Sequence, residues 1–186
     1  MIPVPLPVFV YILFIAVFGM LHMALILKNR GKLAAGKSDP TFFLVTIPFQ
    51  LSLIAGPVEN AVRHLPLVLF PYVLGISFMV FGTIIDVISL SRLGSAFSTV
   101  VDKKDGQKLV TGGPYGIIRH PIYISYIFIA GSSPMAMRSW SALVFFLLAA
   151  SGILIRIGVE ERLMSAEFPG YKAYMKRTKR LIPGIY

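Results

Sequence analysis

The residues best suited to chemistry fall in two short stretches. The first reads Leu109-Val110-Thr111-Gly112-Gly113-Pro114-Tyr115-Gly116-Ile117-Ile118-Arg119-His120-Pro121-Ile122-Tyr123. Gly112, Gly113 and Pro114 predict a turn, since glycine admits positive φ and proline fixes its own. Pro121 disfavours a helical His120 and suits a first helical turn, so a helix is expected to start at this proline with His120 at its N-terminus. Unpaired N–H groups and the positive end of the helix dipole make such a position an anion site, which Arg119 would strengthen. Tyr123, three residues beyond His120, faces the same way. The second stretch holds Arg156, Glu160 and Glu161. Arg156 and Glu160 are four apart and share a helix face, which Met164 and Glu167 continue. An arginine can clamp a carboxylate, and a glutamate can receive an ammonium group. Taken singly, each residue has an ordinary reading as an interfacial side chain or a snorkelling ion pair. Their convergence points to a site.

The elements that must position them are membrane helices. The 186-residue chain is 56% hydrophobic and only 14% charged, where an ordinary soluble domain is about 25% charged. Uncharged stretches run 1–27, 41–58, 64–85, 120–137 and 139–155, and crossing the hydrocarbon takes about 20 apolar residues. The first and third suffice, the second does so with its interfacial neighbours, and the last two are short, joined by an expected turn over 132–138. The expected architecture is all-α, with five transmembrane helices, the last two a short helical hairpin, and a cytoplasmic cofactor pocket formed by the C-terminal half. The apolar N-terminus has no basic leader or small-residue cleavage pattern and reads as a retained transmembrane helix. Residues 1–90 read as a three-helix scaffold. Residues 91–186 read as the cofactor-binding catalytic region, with the hairpin and a basic tail.

The net charge of +10 is explained by topology. Sixteen of the eighteen Lys and Arg fall on one side of this map, leaving Arg63 and Arg138 on the other. The positive-inside rule then places the N-terminus outside, with the C-terminus and active site cytoplasmic, and no nucleic-acid partner is needed. The absence of cysteine excludes disulfides, thiolate metal sites and a thiol nucleophile. Three distant histidines give no metal spacing. His22 reads as a packed polar group within the first helix. Asp86 keeps open a different class, a non-catalytic membrane scaffold or small channel. The tail Tyr171-Lys172-Ala173-Tyr174-Met175-Lys176-Arg177 interleaves aromatics with cations, as a helix lying on anionic membrane lipids would.

Leu109 to Tyr123, Arg156 to Glu161, Phe168-Pro169-Gly170-Tyr171 through Tyr174, and Arg180-Leu181-Ile182-Pro183 together resemble the isoprenylcysteine carboxyl methyltransferase family over residues 90–186. Phospholipid N-methyltransferases share much of this pattern, and the C-terminal part of membrane sterol reductases is similar. The resemblance implies an integral membrane enzyme that uses S-adenosyl-L-methionine and esterifies the C-terminal carboxylate of a prenylated cysteine. It implies cofactor binding by Gln107, Lys108, Leu109, Val110, Tyr115, His120, Pro121, Ile122, Tyr123 and Glu160. Arg156 matches the family's substrate-contacting arginine and stands as the catalytic residue, and no metal is implied. Gln107 and Lys108 depart from the residues usual in animal members.

The chemistry agrees with that assignment. An ionised carboxylate is already a nucleophile, so catalysis reduces to alignment and desolvation. Methylation of phosphatidylethanolamine, the alternative, would need a base such as Glu161, Glu167 or His120, and Arg156 would repel its ammonium group. A reductase ranks third, for want of a phosphate-binding glycine fingerprint. A lipid-linked acceptor would enter from the bilayer and the cofactor from the cytoplasm. On this reading Arg156→Ala leaves cofactor binding nearly intact, Glu160→Ala weakens it, and Tyr123→Phe tests little.

Overall fold

The computed structural model describes residues 6–28, 40–96 and 109–184; Gln107 and Lys108 lie outside them. The elements are α1 (Leu6–Lys28), α2 (Pro40–Arg63), α3 (Leu69–Leu93), α4 (Pro121–Met137), α5 (Trp140–Glu167) and the short α6 (Tyr171–Arg177), with single helical turns at Gly94–Ala96 and Gly113–Gly116. Among the described residues four helices, α1, α2, α3 and α5, are long and apolar enough to cross a membrane. The outward faces are apolar: Leu13, Phe81, Ile84, Leu148 and Leu154 are each about half exposed. That distribution suits lipid, not water, and the protein is a multi-pass integral membrane protein.

Packing centres on α4, which lies against α2, α3 and α5. Small residues allow the close approach. A Cβ on Gly75 of α3 would come within 2.6 Å of the Ala136 nitrogen and the Ser132 oxygen of α4, and one on Gly82 within 2.7 Å of Ile129 Cγ1. Gly152 of α5 lies equally close to the Leu44 backbone of α2. Buried hydroxyls tie the layers. Tyr11 Oη is 2.8 Å from Ser132 Oγ, and Ser52 Oγ donates to the carbonyls of Ala130 and Ala142 at 2.9 and 3.2 Å.

The hairpin differs from expectation in two ways. Residues expected to turn from 132 onward remain helical through Met137, because the Ser132 hydroxyl is satisfied inside the bundle by Tyr11 and by the Ile129 carbonyl. The reversal needs only Arg138, at φ 52°, and Ser139, whose Oγ accepts from the Ala142 N–H at 3.0 Å. Glu59 of α2 braces this corner, accepting from the hydroxyls of Ser139 and Ser141 at 2.6 Å each. The second arm is also not short. α5 runs 28 residues, past the apolar stretch to Glu167, because Arg156, Glu160 and Glu161 find partners within the protein.

The C-terminal tail returns across the start of α4. The Arg119 N–H donates to the Lys179 carbonyl at 2.8 Å and the His120 N–H to the Arg180 carbonyl at 3.1 Å. Tyr174 Oη donates to the Tyr115 carbonyl at 2.6 Å. Gly170, at φ 88°, supplies the left-handed step between α5 and α6.

Candidate active site

The turn before α4 forms as its glycines and prolines dictate. Gly113 takes φ 62° and opens a helical turn through Gly116, and Pro121 begins α4 with His120 as its N-cap. That entry aims the His120 ring at the end of α5, where Glu160 and Glu161 stand. Nδ1 is 3.5 Å from Glu160 Oε2, and Nε2 is 3.4 Å from Glu161 Oε1. Tyr123 stacks on His120 at 5.6 Å between centroids. Its hydroxyl accepts from Arg156 Nε at 2.7 Å and donates to Glu160 Oε1 at 2.5 Å. Arg156 Nε also lies 3.2 Å from Glu160 Oε1. The same guanidinium donates to Thr41 Oγ1 of α2 at 3.0 Å and lies over the Phe42 ring at 5.8 Å.

Burial alone would push the His120 imidazole down, but the carboxylates of Glu160 and Glu161 outweigh it and hold its pKa above the ordinary value. Burial also raises the Tyr115 phenol, and it pushes Tyr174 up to about 12. Both phenols therefore stay protonated, and Tyr174 acts as a neutral donor.

Three charges have a structural task. Arg119 Nε donates to Glu161 Oε1 at 2.7 Å, and Arg180 Nε to Glu161 Oε2 at 2.8 Å. Arg119 Nη1 also reaches the carbonyls of Met175 and Thr178. Glu161 thus pins the tail to α4, and Arg119 is committed there instead of to a ligand. The backbone N–H groups of Arg119 and His120 are likewise occupied by the tail. The anion site expected at this helix start is therefore reduced to the imidazole, since Pro121 has no N–H and the Tyr123 and Ile124 N–H groups donate to the His120 carbonyl.

Leu109, Val110, Tyr115, His120, Ile122, Tyr123, Arg156 and Glu160 all line one cavity of about 800 Å³. Pro121 is buried beneath it as the first residue of α4. The far wall comes from α1 and α2, with Phe18, His22, Thr46, Phe49 and Gln50 among its residues. Met23, Phe43, Ile47 and Leu51 line the cavity and are also exposed on the lipid-facing surface, so it opens sideways between α1 and α2. The sequence reading passed over these residues except His22, which it read as a packed polar group. The available signal was the spacing of Phe42, Thr46 and Gln50, which marks one polar-edged face on an apolar helix. Asp86 lines no pore among the described residues. It is 1% exposed and bonded to His22 and Ser125.

Fold and cluster together define a membrane-embedded helical protein with a buried charged site at one end of an apolar cavity. Residues 73–166, just over half of the chain, match the isoprenylcysteine carboxyl methyltransferase (ICMT) family, and the chain belongs to that family. It is similar to the protein-S-isoprenylcysteine O-methyltransferase of Dictyostelium discoideum, 33% identical over 112 residues, which are 58% of this chain and 47% of that one. It is also similar to the nickel-cobalt-cadmium resistance protein NccN of Alcaligenes xylosoxydans xylosoxydans, 28% identical over 107 residues, 53% of this chain and 50% of that one. The chain spans about half the length of these curated relatives. Its fold matches that of the eukaryotic intramembrane Ras methyltransferase ICMT with a TM-score of 0.76, covering 100% of this chain and 69% of that one at 20% identity.

Proposed function

We propose that the protein is an S-adenosyl-L-methionine-dependent membrane methyltransferase that esterifies the C-terminal carboxylate of a prenylated cysteine. The observation that carries this reading is the meeting of His120, Tyr123, Arg156 and Glu160 at one end of a cavity that is otherwise apolar and opens toward lipid. Family membership and the name of the Dictyostelium relative agree with it.

The residues present suit the cofactor. Glu160 offers a carboxylate for its ammonium group, and the His120 imidazole offers a partner for its carboxylate. The Tyr115 hydroxyl is buried with no hydrogen-bond partner among the described residues, beside Leu109 and Val110 for packing a nucleoside. When bound, S-adenosyl-L-methionine supplies a methyl group on a sulfonium centre. The chain's own task is alignment. Arg156 would receive the acceptor carboxylate while Glu160 and Tyr123 hold its guanidinium in place. Phe168, Tyr171 and Tyr174, which line the same end, would exclude water. No side chain need take a proton, because a carboxylate attacks as the anion.

The same proposal includes five crossings. α4 is 17 residues long. It runs from the level of the Arg156–Thr41 contact to the Glu59–Ser139 corner, the depth that α2 covers. The N-terminus would lie outside and the cluster and C-terminus in the cytoplasm. Residues 91–186 would supply the charged site, and residues 1–90 the scaffold and the lipid-side wall.

The test offers labelled S-adenosyl-L-methionine to purified protein in lipid nanodiscs, with a prenylcysteine analogue and phosphatidylethanolamine in parallel. The expected product is a base-labile methyl ester of the prenylcysteine. Labelling of the phospholipid alone would replace the acceptor, and no cofactor binding at millimolar concentration would remove the methyltransferase class.

A further inference from the structure

One ionisable pair, His22 on the cavity wall and Asp86 behind it, has no task in carboxylate methylation. Asp86 of α3 is 1% exposed, and its Oδ2 lies 2.7 Å from His22 Nδ1 of α1. Ser125 Oγ of α4 reaches its Oδ1 at 3.2 Å. A carboxylate only accepts, so Nδ1 carries the proton it donates to Asp86, and in the neutral imidazole Nε2 then presents a lone pair. The His22 side chain lines the cavity and keeps 19% of its surface exposed. Among the described residues Nε2 has no hydrogen-bond partner.

A tie between α1 and its neighbours would explain Nδ1 but not Nε2. Neutral groups already make such ties elsewhere on α1: Tyr11 with Ser132, and the Pro7 carbonyl with Tyr72 at 3.0 Å. An ionisable pair at membrane depth is a costlier device, and here it leaves one ring edge on the cavity wall. Its place along the cavity is defined by Tyr126, whose ring lies 5.9 Å from that of His22 and 6.1 Å from that of Tyr123. Ser125 is four residues beyond Pro121, which sets this station about 6 Å deeper than the start of α4. The Phe18 ring also packs against the imidazole, tilted, at 5.4 Å.

We propose that His22 Nε2 is a hydrogen-bond-accepting subsite for a protic group on the lipid-borne acceptor, carried within about one helical turn of its methylated atom. An amide N–H or a hydroxyl has the required chemistry, and bare hydrocarbon or an ester oxygen does not. The inference rests on the proposed function in taking the cavity to hold an acceptor. Asp86 is a positioning residue: it fixes which imidazole nitrogen faces the cavity.

The test uses two acceptor analogues with the same chain and carboxylate, one bearing an amide N–H beside the carboxylate and one with an ester oxygen in its place. Binding to the protein in nanodiscs is measured by calorimetry without cofactor, then KM and kcat with it. The native protein should prefer the amide by about tenfold in Kd and KM, with kcat little changed, as for one buried hydrogen bond. His22→Phe, which keeps an aromatic ring between Phe18 and Tyr126, should abolish the preference. Asp86→Asn can turn the imidazole so that Nε2 carries the proton, and should shift the preference toward the ester. Should His22→Phe fail to fold, the Asp86→Asn shift still decides, because a purely structural pair would lower the melting temperature without moving the amide-to-ester ratio. No preference in the native protein, no binding of either analogue, or an unchanged ratio in the variants would overturn the subsite. Selective binding without methyl transfer would instead leave the subsite standing and remove the proposed function.

Discussion

Tyr123 stands between the two charges of the site, accepting from Arg156 and donating to Glu160. Removing its hydroxyl leaves both groups short of a buried partner while the ring still stacks on His120. Tyr123→Phe should therefore cost about 1–3 kcal/mol in unfolding free energy, and should lower methyl transfer more than cofactor affinity. A change within 0.3 kcal/mol would mean that the ring alone matters; thermal unfolding and initial rates decide. Arg156→Ala should also act differently from what its sequence position suggests. Glu160 would lose its buried counter-charge, so cofactor affinity and turnover should fall together, by calorimetry and by rate. His120 adds a pH dependence. Its folded pKa stands above the ordinary value of about 6.5, so its contacts with the carboxylates stabilise the fold fully below that pH and are lost as the pH rises through the folded value. The melting temperature in detergent should decline across that window, and His120→Gln should remove the slope.

At the scale of elements, close helix contacts make sharper demands than the apolar pattern reveals. A Cβ at Gly152 would run into the Leu44 carbonyl of α2, whereas one at Gly158, further along α5, meets nothing within 4 Å. Gly152→Ala should cost about 1–3 kcal/mol by forcing α5 off α2, while Gly158→Ala should be neutral or stabilising by up to about 1 kcal/mol through helix propensity. Melting curves of the two variants in one detergent make the comparison. The same contrast explains what could be read in advance. Pro121 starts a helix by local stereochemistry, and Gly112-Gly113-Pro114 turn by theirs, so both were legible. The end of α5 was not, because charge normally ends an apolar segment. Arg156, Glu160 and Glu161 remain helical only through partners on α4, α2 and the tail. Ser132 and Ser133 looked like turn residues for the same reason: the Ser132 hydroxyl pairs with that of Tyr11, 121 positions away. Thr41 met Arg156, and His22 joined the cavity wall, through tertiary packing that no local pattern encodes.

For the whole molecule, the decisive geometric fact is that one end of the bundle carries the site while the other is held by Glu59. Arg63 donates to Glu59 at 2.7 Å near the hairpin corner, far along the helices from the Arg156–Thr41 contact and the basic tail. Cations concentrate at the site end, which the positive-inside rule assigns to the cytoplasm. The natural chain has no cysteine, so single substitutions report sidedness without a background. Lys172→Cys on exposed α6 and Arg63→Cys at the opposite end should react with a membrane-impermeant maleimide from opposite sides of sealed vesicles. Arg138→Cys, at the turn between α4 and α5, should behave like Arg63→Cys if α4 crosses fully, and like Lys172→Cys if it does not. Labelling of Lys172→Cys from outside intact cells would reverse the orientation and place the charged cluster where a cytoplasmic cofactor could not reach it. Labelling from inside, with Arg63→Cys and Arg138→Cys reacting from outside, would support five crossings and a site that meets its polar ligand from the cytosol and its lipid ligand through the gap between α1 and α2.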